Sequence, residues 1–253
     1  MAGSVREWDA TAYQRVSVPH EEWAKALLER LPLVGSETVL DAGCGTGRVT
    51  RMLIERLPRG RVIGVDGSEA MVEKVGEVLR AQDEALRADL TTLELADRVD
   101  AVISSAVFHW VLDHEALFSR LHACLVPGGR LVAQCGGAGN IDRLRRTTRD
   151  VASREPYAEH LHGLAEPWNY ASPEQTEQRL QAAGFDAIRC WLQPWEVIPP
   201  DPAEFLRVVC LAPYLDPLPS HLHGPFVRAV LAAEAEPLRL GYVRLNIDAR
   251  AAP

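Results

Sequence analysis

The sequence predicts an α/β fold built on a parallel sheet, and three observations carry that prediction. Short apolar runs alternate with segments of helical periodicity along the first half of the chain. Those runs are nearly continuous in apolar residues, as strands covered on both faces must be. The first run ends in an acid followed by three glycines at alternate positions, Val39-Leu40-Asp41-Ala42-Gly43-Cys44-Gly45-Thr46-Gly47. That is a strand, loop and helix junction of the kind that holds ligands. A chain of 253 residues with 47% hydrophobic and 25% charged residues suits one large domain with a sizeable core.

Taken in order, residues 1–35 contain Trp8, Tyr13 and Trp23 and a helical pattern from about 21 to 31, and are expected to form an N-terminal helical lid over the ligand, the alternative being a cover for one end of the sheet. The main domain is expected over 36–253. After the glycine loop, Val49, Met52, Leu53 and Leu57 recur at helical spacing until Pro58-Arg59-Gly60. A second strand, Arg61 to Asp66, again ends in an acid, and Gly67-Ser68 starts a helix carrying Met71 and Val75. A third βα unit is expected from Glu84 to Leu90 and a fourth strand from Val99 to Ser104, leading into Phe108-His109-Trp110. A fifth strand, Arg130 to Cys135, follows the turn Pro127-Gly128-Gly129. Five βα-like units imply helices on both faces.

Helical insertions are expected at about 139–170, which holds Arg143, Arg145, Arg146 and Arg149, and at 193–240, which holds nine of the seventeen prolines and two short helical patterns at roughly 202–212 and 225–235. Between them Ser172-Pro173-Glu174-Gln175 reads as a capping box and Phe185 to Leu192 as a sixth strand. The arginine run is either a substrate cover or a solvated helix face. The last strand, Tyr242 to Asp248, alternates strictly, which suits an antiparallel strand half exposed to solvent.

The glycine spacing selects the ligand. A dinucleotide fingerprint needs a glycine where this chain has Arg48, which argues against a nicotinamide enzyme. Asp66 falls 25 residues after Asp41, near the offset of a ribose-binding carboxylate, and can accept bonds from both ribose hydroxyls. Asp89 and Leu90 offer a polar and an apolar contact of the kind an adenine needs. The loop beyond the fourth strand lies where ligands bind in open parallel sheets, so His109 is the candidate general base or orienting group, a structural histidine being the alternative.

A net charge of −8 disfavours nucleic acid and anionic membrane as partners. The five scattered cysteines have no metal-binding spacing and read as reduced thiols. With no signal peptide or membrane span in view, a cytoplasmic monomer or homodimer without metal is expected.

The order of motifs resembles the class I S-adenosylmethionine (SAM) methyltransferases over nearly the whole chain. The matching pieces are Asp41 to Gly47, Asp66, Asp89-Leu90, the Pro127-Gly128-Gly129 turn and a final antiparallel strand. The resemblance implies a Rossmann-like, seven-stranded, mostly parallel sheet in the order 3-2-1-4-5-7-6, with SAM as cofactor and S-adenosylhomocysteine (SAH) as product. It implies cofactor contacts from Asp41, Gly43, Cys44, Gly45, Gly47, Asp66, Gly67, Met71, Asp89, Leu90 and Ser104.

A narrower likeness, to the trans-aconitate and malonyl-carrier methyltransferases, rests on Trp8-Asp9, Tyr13, Phe108-His109-Trp110-Val111 and the helical insertion before the last strand. It implies a small-molecule acceptor methylated on a carboxylate or hydroxyl oxygen. Trp8, Tyr13, His109, Trp110 and Arg146 would line its site. The alternative is a protein of the same fold that binds SAM but catalyses a non-methylating reaction or regulates.

Overall fold

The computed structural model describes Glu7 and residues 19–252. Its strands are β1 Thr38–Ala42, β2 Arg61–Asp66, β3 Glu84–Arg87, β4 Val99–Ser105, β5 Leu125–Gly136, β6 Phe185–Val197 and β7 Leu240–Ala251. They form one seven-stranded sheet in the order β3-β2-β1-β4-β5-β7-β6. β1 to β5 lie parallel, and β7 runs antiparallel to both β5 and β6. This is the order and the single reversal that the resemblance implied.

The helices are α1 Pro19–Glu29, α2 Arg48–Arg56, α3 Glu69–Gly76, α4 His114–Cys124, α5 Asp142–Ala152, α6 Ala158–Leu161, α7 Pro173–Ala182, α8 Pro202–Phe205, α9 Ala212–Leu215 and α10 Ser220–Ala232. Successive strand residues face opposite sides of the sheet. Val39, Val62, Ala101, Ile103 and Val132 therefore meet Leu27, Leu28 and Leu31 around α1 and Leu53 and Leu57 around α2. Leu40, Ile63, Leu131, Leu245 and Ile247 face the opposite layer, where α4 supplies Leu117, Phe118 and Leu121 and α7 supplies Leu180. Each fully buried leucine of these layers contributes roughly 1.5–3 kcal/mol. A third apolar cluster, with Leu144, Leu161, Trp168, Tyr214 and Phe226, joins the two insertions into a cover.

The capping box forms: Ser172 and Gln175 bond each other's backbone at the start of α7. Four expectations need correction. β3 is followed by a turn and no helix; Asp89 accepts bonds from the Thr91 amide and hydroxyl, both at 2.8 Å, which stabilises that turn. β6 runs on through Val197, into the stretch read as an insertion, because Gln193 to Val197 pair with Arg244 to Leu240. Pro194 is tolerated there since β6 is an edge strand.

The expected helix near 202–212 is broken into α8, a π-helical turn at Leu206–Cys210 and α9. Finally, β7 is not half exposed. Arg244, Leu245, Asn246 and Ile247 are all buried, because β7 lies between two strands with α1 over its polar face. Arg30, just past α1, supplies what that face requires. Its Nε donates to Asp248 at 3.0 Å and its Nη1 to Asn246 at 2.6 Å, while Nη2 reaches the carbonyls of Ala133 and Ile247.

Among the described residues no helix is long and apolar enough to cross a membrane.

Candidate active site

The carboxyl ends of the parallel strands open into a cavity of about 950 Å³ beneath the helical cover. That is large for a small-molecule site and leaves room for a cofactor and an acceptor together. Its floor is the glycine loop. Gly43 has φ +81°, and a Cβ there would lie 2.1 Å from the Val107 side chain, so only glycine lets the β1 and β4 loops touch. The amides of Gly43 and Cys44 both donate to the Val65 carbonyl, at 2.7 and 3.0 Å. Gly45, at φ +52°, turns its Cα toward open space, with nothing within 4 Å of an added Cβ.

Asp66, at the end of β2, ties two elements together. Its Oδ2 accepts from the Gly45 amide at 2.9 Å and its Oδ1 from the Ser68 amide at 3.0 Å, at the head of α3. Burial nevertheless holds its carboxyl above the usual range, with the backbone bonds opposing and Glu7 adding to the shift. Gly67, Met71, Asp89 and Leu90 complete this wall alongside Gly43, Cys44 and Gly45.

Three residues expected at the cofactor stand behind the wall and do not line the cavity. Asp41 is buried below the loop, its Oδ2 accepting from the Thr50 hydroxyl at 2.6 Å. Ser104 is buried and donates to the Ala42 carbonyl at 2.7 Å. Gly47, at φ +84°, packs close to Val75 and Val78 and starts α2. All three shape the loop from its far side. Trp8 and Tyr13 lie outside the described residues.

Burial pushes the Asp41 carboxyl up to about 7, Asp66 reinforcing the shift and Thr50 opposing it. A buried acid that holds its proton to higher pH than in the unfolded chain loses stability as pH rises between the two values. Ligand-free protein should therefore become less stable from about pH 4 to about pH 7 through this group, by at most about 4 kcal/mol. Asp41→Asn should flatten that part of the profile and raise the melting temperature at pH 8. Parallel melting curves of the two proteins across pH 4–8 would refute the role given to Asp41.

Beyond β4 the backbone enters an unusual turn. Ala106 has φ +62°, a conformation costly for a residue with a side chain and often found at functional sites. It sets up the 3₁₀ turn Phe108–Trp110, which delivers His109 and Trp110 to the cavity wall. His109 Nδ1 accepts a hydrogen bond from the Gly136 amide at 3.2 Å. Its ring stacks on Tyr170 with centroids 5.7 Å apart, and Tyr170 stacks on Trp168 at 5.6 Å. Burial pushes the Tyr170 hydroxyl far above its usual range.

The arginine-bearing helix α5 mostly faces solvent. Arg146, expected at the substrate, is exposed and does not line the cavity. The helical period turns Arg145 inward instead, with its guanidinium 5.2 Å from the Tyr170 ring and bonded to Asp142 and Glu166. Sequence reasoning passed over Gln134, Asn140, Tyr170, Tyr242 and Arg244, all of which line the cavity. Their one sequence signal was polar or aromatic character near the ends of β5 and β7 and in the loops after β5 and before α7, which many exposed positions share.

Residues 40–133 match the family model of a methyltransferase domain. The trans-aconitate 2-methyltransferase of Acidovorax sp. (strain JS42) is 30% identical over 229 residues, covering 89% of this chain and 88% of that protein. The trans-aconitate 2-methyltransferase of Azoarcus sp. (strain BH72) is 32% identical over 231 residues, covering 88% and 87%. The chain belongs to the class I SAM-dependent methyltransferases. Among solved structures, the Haemonchus contortus phosphoethanolamine N-methyltransferase 2 in complex with SAM aligns with a TM-score of 0.62 at 19% identity, covering 96% of this chain and 56% of that one. This methyltransferase uses SAM, and within the family it stands near the trans-aconitate group.

Proposed function

We propose that the enzyme methylates a carboxylate oxygen of a small organic acid, producing a methyl ester and SAH. The observation that carries the acceptor class is the hydrogen bond at His109. A neutral imidazole has one bare and one protonated nitrogen. An amide N–H aimed at Nδ1 makes that the bare one, so the proton sits on Nε2. His109 is then a hydrogen-bond donor and not a base. An acceptor beside it must arrive already ionised, and a carboxylate does. The names of the 30% identical relatives support the same class.

The cofactor supplies a methyl group on a sulfonium, which the acceptor oxygen displaces. The chain's part is to bind and align. Asp66 would accept the ribose hydroxyls, the Gly43 to Gly45 backbone would cradle the methionine portion, and Gly67, Met71, Asp89 and Leu90 would frame the adenine. The pocket fits such a donor, since Asp66 lines it and the glycine loop opens bare backbone to it at Gly45, where nothing lies within 4 Å of an added Cβ. His109 and Trp110 would orient the acceptor, and orientation alone can account for much of the rate. Trp23 on α1 also lines the cavity, and we assign residues 1–35 a closing role on that ground.

Transfer of labelled methyl from SAM into a panel of organic acids, followed by mild alkali, tests the proposal. Label released as methanol is expected, and alkali-stable product would refute it. His109→Asn should leave SAM affinity unchanged and keep more than about a tenth of turnover. Loss of 10² or more, the size associated with a general base, would restore His109 to that role.

A further inference from the structure

The molecule holds two arginines on the polar face of the sheet beneath α1, and they differ in one respect. Arg30 is bonded through all three guanidinium nitrogens. Arg244, 3% exposed, has no hydrogen-bond partner at Nε or Nη2. Its guanidinium lies over the Trp23 ring, 4.2 Å from the centroid, with Trp195 at 5.9 Å, and Arg244 is one of the residues that line the cavity. Burial, with Arg30 adding, pushes it down to about 9. An unpaired charge in such a place is strongly destabilising unless something bound there repays it.

The two unpaired donors share one edge of the guanidinium, the edge that receives both oxygens of a carboxylate. The position along the sheet is equally specific. Asp66, Gly43, Ser105, Gly136 and Arg244 stand at the cavity ends of β2, β1, β4, β5 and β7, which are neighbours in that order. Arg244 pairs in register with Gly136, whose amide fixes His109. It therefore lies at the opposite end of the cavity from the ribose carboxylate, two strands beyond β4, or roughly 10 Å before its side chain reaches back. The other arginine among the described lining residues, Arg48, sits at the head of α2, on the glycine-loop side.

We propose that Arg244 is the specificity-determining residue for the acceptor, receiving a second carboxylate that is not methylated, so that the enzyme selects short dicarboxylates over monocarboxylates. This rests on the carboxylate-methylating reading and deepens it. The walls around Arg244, Trp23 and Tyr242, are aromatic, which excludes water and strengthens a charge-assisted pair.

Binding tests the proposal without turnover. SAH-loaded protein is titrated with succinate, glutarate and adipate, and with the monomethyl ester of each. At least one diacid should bind saturably and at least tenfold more tightly than its monoester. In Arg244→Met, checked for unchanged SAH affinity, that preference should vanish; where this variant failed to hold SAH, Arg244→Gln carries the same comparison. No diacid binding in the wild type, or a preference that survives the substitution, overturns the proposal. Arg244-dependent diacid binding with no alkali-labile product would instead sink the methyl-ester reading and leave the receptor standing. Ester formation indifferent to Arg244 would do the reverse.

Discussion

Asp66→Ala weakens SAM binding by at least about 100-fold while the protein remains folded. The expectation follows from what the carboxylate does on each side. Within the protein it accepts the amides of Gly45 and Ser68, holding the glycine loop and the head of α3 in register. Toward the cavity, whose wall it joins, its remaining lone pairs would be offered to the ribose. Hydrogen bonds to a charged group contribute about 1.5–3 kcal/mol each, so two lost at the ribose give roughly 10²–10⁴ in affinity. Asp66→Asn should be nearly as damaging, since its amide group would turn a donor toward one of the two backbone N–H groups. Calorimetric titration with SAM and SAH measures this directly, and an affinity within threefold of wild type would remove Asp66 from the cofactor site.

Gly43→Ala should abolish cofactor binding by a different route and cost stability as well. A left-handed backbone costs about 1–2 kcal/mol for a residue with a Cβ, and forcing a methyl into packed side chains costs about 1–3 more. Here the new atom would fall 2.1 and 2.6 Å from the two γ-carbons of Val107. Either the loop after β1 or the turn after β4 must move, and both line the cavity. Pairing Gly43→Ala with Val107→Ala relieves the clash and leaves the backbone strain. The double variant should recover part of the melting temperature, and no recovery would show that the conformation at Gly43 dominates.

Much of the fold was legible in the chain because each signal was local. Apolar runs followed by amphipathic segments read as βα units, the capping box at Ser172 read as a helix start, and Asp66 lay at the distance from Asp41 that a ribose site requires. Local signals failed where a neighbour decided the outcome. The polar residues of β7 read as solvent-facing, yet α1 covers them and Arg30 bonds them. The proline-rich stretch from 193 read as an insertion, yet Pro194 continues β6, because an edge position spares it the missing donor. The arginine run of α5 pointed to Arg146, whereas the helix turns Arg145 inward and leaves Arg146 exposed.

The sequence by itself determined the end of the cavity that we assign to the cofactor: glycines at positions of positive φ, an acid at the end of each of the first two strands, and the spacing between them. These are backbone and short-range requirements, and short stretches of chain are enough to express them. Only the tertiary structure decided the acceptor end. The protonation of His109 depends on an amide of β5, and the unpaired edge of Arg244 depends on Arg30 having already taken the Asp248 carboxylate of β7. A side chain's charge can be read from its letter, but whether that charge is already paired depends on residues brought to it from more than a hundred positions away.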